Sequence, residues 1–203
     1  MDHISMIEKL KKVGIEFSHG LSDREIEEIE AAFAFRFPKE IASFLSCAYP
    51  ISEGFFDYRD TSPQNMRSFH DFQKNIEDTV LFDIEHCAGL LRPMLEPLLG
   101  SIADREEFQA AVLASVRRST RLVPFYAHRC FFDGMDGMPI VSFCQAVDTI
   151  IYGYDLEDYL EAEFLTATND IVSEELSDHI AEKLKATGIW YYIIKGTSKY
   201  SAK

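Results

Sequence analysis

Apolar residues recur every three to four positions along much of the first 120 residues, which predicts helices. After Thr120 they gather into short continuous blocks, which predicts strands. Ile4, Ile7 and Leu10 place a short helix within residues 2–13, and Gly14 and Gly20 bracket a break. Ser22 with Glu25 three residues on forms a capping box, followed by Ile26, Ile29 and Phe33 as one stripe. Glu27, Glu28 and Glu30 fall toward water. Pro38 suits the first position of the next helix, which buries Ile41, Phe44, Leu45 and Ala48 and ends before Pro50.

Residues 53–60 mix aromatics and charges and predict a short strand running into a loop. Pro63 opens a helix with Met66, Phe69, Gln73 and Ile76 along one side, and residues 79–84 form a β-prone run. Gly89, Pro93, Pro97 and Gly100 predict an irregular connector. Asp104 with Glu107 repeats the capping pattern, Phe108, Val112 and Val116 mark the inner side, and Arg117 and Arg118 lie where the helix dipole favours cations.

Three β-type blocks follow, over residues 122–132, 139–144 and 149–152. Asp133-Gly134 and Asp136-Gly137 give a hairpin signal between the first two. Pro124 marks the first block as an edge strand or one with an irregular start. Asp155 caps a helix carrying Leu156, Tyr159, Leu160 and Phe164. A last helix is expected over residues 173–187, with Leu176, Ile180 and Leu184 inward and Gly188 as its stop, and then a closing strand over 189–194. Helices, then a meander, then helices again define an α+β fold: one domain over residues 1–196 with a frayed polar tail over 197–203.

The net charge of −14, from 34 acidic and 20 basic residues, argues against nucleic acid and anionic membranes and favours basic partners. The four cysteines, Cys47, Cys87, Cys130 and Cys144, are irregularly spaced and lie in apolar stretches, as core thiols of a reducing compartment would. The N-terminus has no continuous apolar run, so a cytoplasmic protein without a signal peptide is expected.

Five segments occur in the order found in one family: GLSDREIEEIEAAFAFRFPKEIASFL from Gly20, FFDYRD from Phe55, LFDIEH from Leu81, LVPFYAHRCFF from Leu122 and DTIIYGYDLEDYLEAEF from Asp148. Together they resemble the SUKH (Smi/Knr-like) superfamily over about residues 20–165. Tyr58 stands where Trp is common, and AGLLRPML replaces a Trp-rich stretch of many members. The resemblance implies a mainly antiparallel, curved sheet with helices packed on one side. It also implies a role: many bacterial members are immunity proteins that bind and neutralise toxins, and others are regulators acting through protein contacts.

Candidate chemistry is sparse. His128 with Cys130 and Cys144 lacks the spacing of a structural zinc motif, and adjacent His86 and Cys87 diverge on a strand. Asp133 and Asp136 lack the remaining positions of a calcium loop. Asp57 and Asp60 are a carboxylate pair of a kind expected in any acidic chain. No nucleophile elbow, phosphate loop, dinucleotide fingerprint or HExxH motif is present. The expectation is therefore a protein without catalytic residues, metal or cofactor, with an uncharacterised hydrolase as the alternative from another class. Phe55, Phe56, Tyr58, Tyr126, Tyr152, Tyr154 and Tyr159 cluster near predicted turns and strand ends, with aspartates beside them. An acidic surface with tyrosine anchors, built from Asp57, Tyr58, Asp133, Asp136, Tyr154 and Asp155, would suit a basic protein partner such as a toxin domain. No residue pattern argues for a homo-oligomer.

Overall fold

The computed structural model of the chain describes residues 2–166 and 178–201. Helix α1 (His3–Lys12) starts on Asp2, whose carboxylate accepts from the Ser5 amide, and it buries Met6, Ile7 and Leu10. Ile4, expected on that face, points to solvent. Helix α2 (Asp23–Phe33) has the full capping box between Ser22 and Glu25. It is followed by α3 (Lys39–Cys47). Strands β1 (Phe17–His19) and β2 (Ala48–Pro50) pair antiparallel beside these helices.

Helix α4 (Pro63–His86) is longer than the sequence pattern predicts, because the β-prone run over 79–84 continues it. Ile76, Val80 and Ile84 are all buried at four-residue spacing, so packing of one stripe overrides local β preference. The expected connector over 89–100 is likewise a helix, α5 (Ala88–Leu99), with Pro93 and Pro97 inside it. Leu91, Met94 and Leu95 form its buried face, while both prolines sit on the exposed side. The carbonyls they deprive of a donor therefore lie on the water side. Helix α6 (Arg105–Arg118) begins on Asp104 as expected.

The meander contains four strands, β3 (Leu122–Tyr126), β4 (Arg129–Phe132), β5 (Ile140–Ser142) and β6 (Ile150–Gly153), adjacent in that order and antiparallel throughout. The first predicted block folds back on itself at Ala127–His128, pairing Tyr126 with Arg129. No glycine or asparagine marks this turn. Ala127 takes φ 48°, a left-handed conformation costly for a residue with a Cβ. Its amide is held by the Gly54 carbonyl at 2.8 Å, and the His128 carbonyl by the Phe143 amide at 2.9 Å.

As Pro124 implied, β3 is an edge strand, and its outer side is closed. Gln73 Nε2 donates to the Leu122 carbonyl at 2.7 Å, the Tyr58 hydroxyl donates to the Pro124 carbonyl, and the Phe56 amide donates to the Phe125 carbonyl at 3.1 Å. Proline supplies no N–H there, so little ladder is left for a foreign strand.

Both faces of the sheet are covered, whereas helices on one side were expected. Val123, Phe125 and Phe131 join a first core with α1, α2, α3 and the buried face of α7 (Leu156–Leu160). Leu122, Cys130 and Phe132 join a second core with residues of α4, α5, α6 and α9 (Ile189–Ser201). Alternation along β3 and β4 is thus complete, with both sides apolar. The predicted strand over 189–194 is the start of α9, where Ile189, Trp190, Tyr191, Ile193 and Ile194 are all buried. A helix enclosed on nearly all sides has no polar face to reveal its period. The helix also runs past the expected fray point: Thr197 is buried and its hydroxyl donates to the Thr149 carbonyl at 2.7 Å. Of the helix expected over 173–187, residues 173–177 and Leu176 lie outside the described residues. The rest is α8 (Asp178–Leu184) with Ile180 and Leu184 packed inward, and Gly188 ends it at φ 75°.

Among the described residues, no helix is long and apolar enough to cross a membrane.

Candidate functional site

The six residues selected from sequence do not form one surface. Tyr58 is 1 % exposed and so presents nothing to a partner; its ring packs against Phe33, Phe35, Phe37 and Phe56. Asp57 is exposed but accepts from the Tyr49 hydroxyl at 3.2 Å and the Arg59 amide at 3.0 Å, orienting the loop after it. Asp133 accepts from the Arg36 amide at 2.8 Å and pairs with Arg121 at 2.8 Å. Helix α3 has no side-chain cap of its own at Pro38. Asp136 supplies one from 97 residues away, accepting from the Lys39 amide at 2.8 Å and binding Lys39 Nζ at 2.8 Å. Asp155 caps α7 through the Asp158 amide at 2.9 Å, and the Tyr154 amide donates to Asp158 at 2.8 Å.

Strand register places these groups. Ile140 pairs with Gly153 and Leu122 with Phe132, so Asp133, Asp136, Tyr154 and Asp155 lie at one end of the sheet. Asp57 and Tyr58 lie along the outer edge of β3. The acidic rim is thus largely a set of structural caps and ion pairs.

A different grouping occupies the opposite end, around the β3–β4 turn. Phe55, Tyr126 and Phe164 are half-buried and in mutual contact, with ring centroids 4.8, 4.9 and 5.7 Å apart. Gly54, at φ 100°, lets the loop pass beneath Tyr126; a Cβ there would meet the ring at 2.5 Å. Half-buried Tyr152 extends the cluster, and the ring of buried Tyr159 packs against Tyr152 and Phe164. Among the described residues the Tyr159 hydroxyl has no hydrogen-bond partner, and burial pushes its pKa well up.

Arg129 organises the polar part. Its guanidinium lies 3.5 Å from the Tyr152 ring centroid, donates to Glu163 at 2.9 Å and Ser142 at 3.0 Å, and meets His128 Nε2. Arginine only donates, so in this contact Nε2 of His128 is the acceptor. Burial first, and the Arg129 charge second, hold the His128 pKa below its usual value. Glu163 reaches Arg129 because the chain after α7 widens into a π-type turn over Glu161–Leu165, a local departure frequent at functional sites. The Arg129 and Glu163 side chains are 9 % and 17 % exposed, a largely desolvated ion pair.

The sequence pattern marks Phe55, Tyr126 and Tyr152 as aromatics near turns and strand ends and Phe164 as part of a helix, but nothing in it singles out Arg129 or Glu163. The π-type turn that brings Glu163 and Phe164 to the sheet leaves no spacing signature. Cys130, which sequence considered beside His128, is fully buried and its thiol is held protonated by burial, while Cys144 is exposed. Among the described residues no cluster of three or more His, Cys, Asp or Glu could hold a metal ion. Chemically, the grouping offers aromatic surface, one imidazole and a desolvated ion pair.

No family model, curated protein or solved structure matches the chain.

Proposed function

We propose that the chain is a SUKH-type protein-binding module without catalytic activity, and that its partner is a toxin domain which it neutralises. The toxin is supplied by the five-segment resemblance, and the contact surface by the half-buried Phe55–Tyr126–Phe164 cluster at the β3–β4 turn. That cluster is the observation that carries the reading. Large rings held rigid by packing, with edges open to solvent, contribute contact area at low entropic cost. The net charge of −14 favours a basic partner and speeds its approach.

The test is capture of the partner from the producing cell by the tagged chain, then binding kinetics at two salt concentrations. Tyr126→Ala is expected to weaken binding by about 2–4 kcal/mol, mainly through faster dissociation. Salt is expected to slow association, since screening acts over about 10 Å at 0.1 M. An unchanged affinity for Tyr126→Ala, with the fold intact, would remove this surface from the proposal. A partner without toxicity in the producing cell would favour the regulatory reading instead.

A further inference from the structure

We propose that a groove between α4 and the segment joining α6 to β3 binds a small amphiphilic carboxylate. The groove has a volume of about 430 Å³, within the range of about 300–1,000 Å³ typical of small-molecule sites. It exists because the two cores meet there: Phe33 and Phe69 of the first core and Leu122 and Trp190 of the second, all nearly buried, underlie its floor, and half-buried Met66 and Val116 add apolar surface.

The backbone acceptors of that floor are already served. Gln73 donates to the Leu122 carbonyl at 2.7 Å and Trp190 Nε1 to the Thr120 carbonyl at 2.8 Å. An alkyl or aryl group can therefore lie on the floor without stranding a polar group. Arg117 and Arg121 stand on one wall. Arg117 engages Glu77 of the opposite wall through Nε at 3.0 Å and Nη2 at 2.7 Å. Arg121 engages Asp133 and the Ala34 carbonyl through Nε and Nη2. On both guanidiniums the third nitrogen, Nη1, has no partner among the described residues. Arginine presents these donors as a planar fork suited to a carboxylate. Glu77 already occupies one fork of Arg117, so it both illustrates the geometry and competes with a ligand. Apolar floor and unclaimed guanidinium nitrogens together fit a molecule with one apolar part and one carboxylate. The site is separate from the aromatic cluster and stands or falls independently of it.

Trp190 is the only tryptophan in the chain and sits in this groove, so its fluorescence reports occupancy. Decanoate below its micelle concentration is titrated into the intact protein, with decanol as the uncharged control and equilibrium dialysis as a second readout. Saturable binding of decanoate is expected, at least roughly tenfold tighter than decanol. Arg117→Gln, on an exposed side chain, should weaken decanoate roughly tenfold through loss of a charge-assisted hydrogen bond. Glu77→Gln, which removes the competing carboxylate, should tighten it. Absence of saturable binding in both readouts, equal binding of decanol, or a decanoate affinity indifferent to Arg117→Gln would each overturn the proposal.

Discussion

The hydroxyl of Tyr58 donates to the carbonyl of Pro124, 66 residues further along the chain. One buried side chain thereby serves the edge strand at the residue that has no amide hydrogen. Tyr58→Phe keeps the ring and its four aromatic contacts but leaves that carbonyl buried without this donor. The expected cost is about 1–3 kcal/mol, read from urea unfolding at constant slope. A variant as stable as wild type would show that the Pro124 carbonyl finds water or another donor.

The Arg129–Glu163 pair should be harder to break than to replace. Glu163→Ala leaves a desolvated guanidinium without its carboxylate and is expected to cost about 3 kcal/mol. Combining Arg129→Met with Glu163→Leu should restore most of the loss, because neither charge is then buried. If Glu163→Ala changes stability by less than about 0.5 kcal/mol, the pair behaves as an exposed one.

Glu25 ties acid stability to a helix start. Its carboxylate accepts from the Ser22 amide and hydroxyl, both at 2.8 Å, and lies near Arg59; these contacts lower its pKa to about 2 from an ordinary 4.5. A folded pKa below the unfolded one means that the ionised form stabilises the protein above pH 4.5 and that this contribution fades as pH falls toward 2. The stability difference between wild type and Glu25→Gln should therefore shrink across that window. A difference that stays constant from pH 4.5 to 2 would mean the carboxylate is not held as described.

Gly54→Ala tests how the aromatic cluster is seated. The position has φ 100° and its Cβ would enter the Tyr126 ring. A loss of more than about 1 kcal/mol is expected, together with an altered near-ultraviolet tyrosine signal. An unchanged spectrum would show that the loop shifts without moving Tyr126.

The parts of the fold legible in the sequence are those governed by neighbours a few residues apart. Ser22 with Glu25, and Asp104 with Glu107, mark helix starts because the capping contact is local. Pro124 marks an edge strand because a missing donor is a property of one residue. What stayed hidden depends on distant partners. The turn at Ala127 is stabilised by Gly54, and α5 keeps two prolines because its opposite face is buried. The start of α9 mimics a strand because the second core and the helices packed around it hide its periodicity. The candidate surface suffered most. Asp133 and Asp136 look like free surface charges in sequence, yet their acceptors serve the amides of Arg36 and Lys39 almost a hundred residues earlier.

Strand β4 is flanked by a strand on each edge and by an apolar core on each face, with all four of its residues buried. Solvent has no local route to it: releasing Phe131 disturbs the first core, and releasing Cys130 or Phe132 disturbs the second. Hydrogen exchange at these amides must therefore await opening of both cores together, and its rate measures the free energy of global rather than local unfolding. Strand β4 thus ties the two cores of the molecule to one another.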